Sequence, residues 1–149
     1  MYDLFNKEDN REVVERISKI NSDSKPQWGK MSAAEMLFHC RQPLRVGFGE
    51  MKLKRSLLGI LFGNIAKKQV LSGKPIKKGL PTDGNFKPKG NHDLEKEKAE
   101  LIEIVCRFAA KGPNAITKEP HPFFGSLTPE EWNILTWKHL DHHLTQFGV

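Results

Sequence analysis

Residues 128–148 read TPEEWNILTWKHLDHHLTQFG, and this stretch decides the fold. Thr128 is an N-cap residue. Pro129 suits the first helical position, where a missing N–H costs nothing, and Glu131 stands three residues after the cap as the acid of a capping box. Behind that start, Trp132, Leu135, Thr136, His139, His143 and Gln146 recur at helical spacing as one core-facing stripe. Gly148 ends it. Histidines four apart stack on one face with Cβ atoms about 6 Å apart, so His139 and His143 point into whatever this helix packs against. Buried imidazoles need partners, and one divalent ion satisfies both if a third ligand arrives from another helix.

Working outward, four more segments carry helical periodicity. The first runs from about Lys7 to Ile20, with Asn6 as cap, Asp9 three residues on, and Val13, Val14, Ile17 and Ile20 recurring. The second opens on the capping box Ser32-Ala33-Ala34-Glu35, and His39 falls among its apolar positions Met36, Leu37 and Cys40. Pro43 is expected to kink or end it. A third covers about Lys54 to Gln69, with Leu57, Leu58, Leu61, Phe62 and Ile65 on one side. A fourth covers about Leu94 to Ala110, with Leu101, Ile104, Val105 and Phe108 facing a core and Gly112-Pro113 as its stop. No alternating strand pattern, repeat or domain boundary interrupts residues 1–149, so the expectation is one all-α domain, a bundle of antiparallel helices burying apolar stripes.

His39 is the natural third ligand. Three nitrogens plus water make the open coordination that catalytic zinc requires, and imidazole equally suits nickel or iron, so the donor set names a divalent metal without choosing it. His142 could instead pair with His139 at a three-residue spacing, but it points about 100° away from His143. Gln146 shares the face of His139 and His143, which leaves His142 beside the site, and Gln146, His142 and Glu35 are the candidates for supporting the ligands from behind. Glu35, one turn before His39, is explained by its capping box. Asp141 lies opposite the histidine face, and His121, in HPFF, reads as structural. Leu140 stands where a zinc protease of HExxH type needs its glutamate, so that chemistry is absent.

The chain has 149 residues and a formal net charge of +6, with ten Lys or Arg against one acid, Asp83, in residues 51–90. That segment carries +9 and the remainder −3, an asymmetry that suits an anionic partner or a solvated connection. Nucleic acid is disfavoured, because Phe86 is the one aromatic among the lysines of the loop over residues 72–90 and no helix-turn-helix register appears. No apolar stretch is long enough to span a bilayer, and the start of the chain lacks a hydrophobic signal core. These features imply a soluble cytoplasmic protein with no membrane partner, and a homodimer stays open. Cys40 and Cys106 read as small buried residues.

Three stretches, WGKMSAAEMLFHC (28–40), HPFFGSLTPEEW (121–132) and KHLDHHLTQFG (138–148), resemble the DinB/YfiT-like metalloenzyme superfamily, most closely a branch known as a domain of unknown function. The resemblance implies a four-helix up-down-down-up bundle, here with an extra short helix or a long basic loop, and with one metal-ligating histidine on the second helix and two on the last, His39, His139 and His143. It places the family's glutamine at Gln146 and puts Leu144 where relatives often carry an arginine that contacts substrate. Characterised relatives include thiol-dependent transferases and isomerases. The leading expectation is therefore a metal-dependent enzyme performing thiol transfer or hydrolysis on a small molecule, with a low-molecular-weight thiol as partner. The alternatives are a non-catalytic module whose basic 51–90 segment contacts an anionic partner, and a metal that merely stabilises the bundle.

Overall fold

A computed structural model describes residues 3–149. Its helices are α1 (Lys7–Ser18), α2 (Ala33–Gly47), α3 (Leu57–Leu71), α4 (Leu94–Lys111) and α5 (Pro129–Gln146). Short 3-10 turns lie at Gly84–Phe86 and Pro113–Ala115, and no strand occurs among the described residues. The caps read from sequence form. Asn6 accepts from the amides of Glu8 and Asp9, and both capping boxes, Ser32 with Glu35 and Thr128 with Glu131, close reciprocally. Ser56 caps α3, so that helix starts slightly later than periodicity indicates. Pro43 neither ends nor interrupts α2, which continues to Gly47. Its missing N–H falls where the helix would otherwise bond the carbonyl of His39.

The long-range contacts fix the direction of each helix. Early in the chain, the Leu4 amide bonds Asn133 near the start of α5, while Arg16 at the end of α1 bonds Asp141 near its other end. Those two helices are therefore parallel. Gln146 reaches the Trp28 carbonyl just before α2, and Gly47 at the end of α2 faces the Trp132 ring, so α2 and α5 are antiparallel. Asn10 bonds the Val105 carbonyl and Phe5 packs on Phe108, which runs α4 against α1. Arg41 meets Glu97 while Phe48 meets Phe108, which runs α4 along α2. The bundle is up-down-down-up. α1 and α2 sit on one diagonal, α4 and α5 on the other. Its core holds Ile17, Met36, Leu37, Leu101, Phe108 and Trp132, all fully buried.

Two expectations need correction. The apolar side of α3 does not face the core: Leu57, Leu58, Leu61, Phe62 and Ile65 are all exposed, and the buried residues of this helix are Gly59 and Gly63. Periodicity shows which residues share a face, not which face is covered. α3 lies outside the four-helix core and packs on α5. Cys106 is likewise exposed, whereas Cys40 is buried. On α4 the stripe Leu101, Ile104, Val105 and Phe108 is buried, and Cys106 projects on the far side of the helix from it.

Candidate metal centre

α2 and α5 cross with His39 opposite His139 and His143. Capping fixes the start of each helix, so the rotational setting that buries Met36 and Leu37 on one, and Trp132 and Leu140 on the other, also turns the three histidines toward each other. The rings form a near-equilateral triangle, with centroid separations of 4.8 Å for His39–His139, 4.8 Å for His39–His143 and 4.7 Å for His139–His143. One ligand nitrogen from each lies within 4.8 Å of the others. Nε2 of His39 and Nε2 of His139 are 2.9 Å apart.

Two of the rings are oriented from behind. His39 Nδ1 donates to the Phe86 carbonyl at 3.0 Å. His143 Nδ1 donates to Gln146 Oε1 at 2.8 Å. The Gln146 amide is itself fixed, because its Nε2 donates to the Trp28 carbonyl, so oxygen must face His143. With Nδ1 carrying the proton, Nε2 of His39 and of His143 is a bare lone pair. His139 lacks such support, since its Nδ1 is buried without a hydrogen-bond partner.

Burial holds all three imidazoles neutral. It lowers His39, against the Phe86 hydrogen bond that raises it. Burial and then the His143 and His39 charges push His139 well down. Burial and the neighbouring His39 bring His143 to about 4. Neutral nitrogens are the form in which histidine binds metal.

A family model described as "Protein of unknown function (DUF1569)" matches residues 4–148, which include all five helices and the whole histidine cluster. The chain belongs to this family. No curated protein and no solved structure matches it.

In this DUF1569 chain the remaining sequence candidates sort by position. Gln146 orients His143 rather than facing the cluster's interior. Glu35 serves the Ser32 cap, accepting from the Ser32 amide at 2.7 Å. His142 turns aside, its ring edge-on to Trp28 at 5.7 Å and to His143 at 5.1 Å. Asp141 pairs with Arg16. His121 is buried against Trp132, and its Nδ1 accepts from the amides of Phe123 and Phe124, which gives it a structural role.

Three contributors were missed in the sequence. The Phe86 and Trp28 carbonyls belong to the backbone, which has no residue signature. Lys138 is buried and donates to the carbonyls of Val70 and Lys74, which ties the end of α3 and the basic loop to α5 beside His139. A lysine directly before a core-facing histidine was the one available clue.

Proposed function

We propose that this DUF1569 chain is a metal-dependent enzyme of the DinB/YfiT-like kind, in which His39, His139 and His143 hold one divalent ion. The observation that carries this reading is the commitment of two Nδ1 atoms outward, His39 to Phe86 and His143 to Gln146, which leaves their Nε2 lone pairs facing a common space with His139. The 2.9 Å contact between Nε2 of His39 and Nε2 of His139 takes either the His139 proton or a metal ion between the two nitrogens, and no hydrogen bond to Nδ1 of His139 fixes that ring in one tautomer. Ligands about 2.0–2.1 Å from one ion stand about 2.9 Å apart at a right angle and about 3.4 Å apart at the tetrahedral angle, and the His39–His139 separation of 2.9 Å fits that range. The up-down-down-up order of the helices supports the superfamily assignment.

Three protein ligands distinguish this site from a closed structural zinc, which takes four. A zinc, nickel or iron ion held by three imidazoles supplies acidification of a water or thiol at an open position. The chain's part is positioning. The Phe86 carbonyl and Gln146 fix two rings and raise their basicity, as hydrogen-bonded partners behind ligating histidines do. Burial keeps the donors unprotonated. Lys78 stands 3.8 Å over the Trp28 ring, and Trp28 packs on His142 next to His143, so the basic loop brings a cation close to the cluster. That placement suits an anionic small molecule, such as a low-molecular-weight thiol bearing carboxylates. The reaction is then thiol transfer to a small electrophile, or hydrolysis.

The test uses untagged protein stripped with a chelator and reloaded with zinc, nickel or iron. Consumption of a small anionic thiol with an electrophilic dye, and cleavage of a small ester, are followed in parallel. The expected result is turnover that appears on reloading and is absent from His143→Ala. Turnover indifferent to metal, or none with any reloaded form, counts against the proposal.

A further inference from the structure

α3 is attached to the domain by its smallest residues. A Cβ on Gly59 would lie 2.7 Å from Phe123 Cα, and one on Gly63 would overlap the Phe123 carbonyl oxygen. The Ser56 amide donates to the Pro122 carbonyl at 3.0 Å. Lys67 pairs with Glu131 at 2.7 Å and bonds the Ser126 carbonyl at 2.9 Å. The glycine face thus lies directly against the backbone of residues 122–124 and fixes the helix's rotation, which turns the large residues outward. Leu57, Leu58, Ile60, Leu61, Phe62 and Ile65 are between 54% and 79% exposed. Five of them, all but Ile60, fall within an arc of about 140° on the side away from the glycines. Contiguous exposed apolar surface on this scale marks an interaction site.

The charge around the patch selects its partner. Lys52, Lys54 and Arg55 precede the helix, Lys68 lies in its last turn, and Lys74 and Lys77 follow, all of them exposed. No acid occurs between Glu50 and Asp83. A second copy of this chain would bring these like charges together across the apolar contact. A nucleic acid would take the lysines and leave the leucines in water. An anionic lipid surface accepts both, the apolar side chains entering the acyl boundary and the lysines meeting headgroups.

We propose that α3 docks the domain onto anionic lipid bilayers, lying in the interface with Leu57, Leu58, Leu61, Phe62 and Ile65 inserted. At 15 residues it is about 22 Å long, too short to cross the hydrocarbon core. Among the described residues no helix is long and apolar enough to cross a membrane, which bears on spanning and leaves surface docking untouched.

Flotation with vesicles of equal parts phosphatidylcholine and phosphatidylglycerol tests this, with pure phosphatidylcholine vesicles alongside and sedimentation equilibrium of the free protein. The expected result is flotation with the anionic vesicles, loss of it in Leu61→Asp/Phe62→Asp, and about a tenfold or greater weakening in Lys54→Glu/Lys68→Glu. Both variants alter exposed positions, and thermal melting checks that they fold as the parent does. Failure of the folded parent to float, or equal flotation by Leu61→Asp/Phe62→Asp, overturns the proposal. So does a stable dimer in solution that Leu61→Asp dissociates, since the patch then belongs to a second copy.

Discussion

Gln146 Oε1 accepts from His143 Nδ1 at 2.8 Å, and the other end of the same amide is held by the Trp28 carbonyl. One side chain thereby sets the tautomer and the direction of a histidine in the cluster, using a backbone carbonyl that lies before α2. The segment preceding the second helix and the end of the fifth are joined through the site.

Replacing Gln146 by Leu removes the acceptor behind His143 and frees the ring to rotate. Metal affinity is expected to fall about 10–100-fold while the circular dichroism spectrum is retained. Competition with a chromophoric chelator measures it. An unchanged affinity would show that the amide does not prepare His143 for a metal.

An alanine in place of a mid-helix glycine normally stabilises a helix by about 1 kcal/mol. At Gly63 the sign reverses, because the added methyl collides with the Phe123 carbonyl oxygen, a backbone atom that cannot swing away. Gly63→Ala is expected to destabilise by about 1–3 kcal/mol and to release amide protection along α3 in hydrogen exchange. A more stable Gly63→Ala protein would mean that α3 does not sit on residues 122–124 as described.

His121 contributes an acid sensitivity. Burial, against an opposing attraction from Asp83, lowers it to about 4, while an unfolded histidine titrates near 6.5. Above that value both states are neutral and the group is silent. Below it the unfolded chain takes up the proton first, so stability falls as pH drops from about 6.5 toward 4, by about 3 kcal/mol in all. Protonation also abolishes the acceptor that holds the amides of Phe123 and Phe124. Urea denaturation of metal-free protein across this range is expected to show a shallower slope for His121→Asn than for the parent. Equal slopes would contradict the assignment.

Glu97 is buried between two partners, receiving Arg41 at 2.7 Å and His92 at 3.1 Å. Glu100 reaches the same arginine from a half-exposed position. Removing the buried carboxylate takes a charge-assisted hydrogen bond from Arg41 and leaves it Glu100 alone, so Glu97→Ala is expected to cost about 1.5–3 kcal/mol, and Glu100→Ala less than about 1 kcal/mol. Chemical denaturation separates the two, and equal losses would show that burial does not set the strength of this cluster.

What was legible in the sequence was local. Capping boxes at Ser32 and Thr128 are properties of four consecutive residues, and the stacking of His139 on His143 follows from helical pitch alone. His39 joins them because one periodic stripe on each helix can be buried, and both stripes carry their histidines. α3 resisted the same logic. Its leucines share a face as the spacing indicates, but only Gly59 and Gly63, read as a contact surface rather than as weak helix formers, point to the side that is covered. Gln146 was legible behind His143 from its place on the same helix face, but the backbone supports could not be foreseen, since the Phe86 carbonyl behind His39 arrives from a loop with no periodicity and the Trp28 carbonyl behind Gln146 from a turn.

The central claim is that three neutral imidazoles from α2 and α5 hold one ion, and metal content tests it most directly. Untagged protein, dialysed against zinc, nickel or iron and then freed of loosely bound metal, is measured by elemental mass spectrometry beside a folded His139→Ala variant. Close to one ion per chain in the parent and nearly none in the variant is the predicted result. A parent that retains no ion, or a variant that retains as much as the parent, would contradict it.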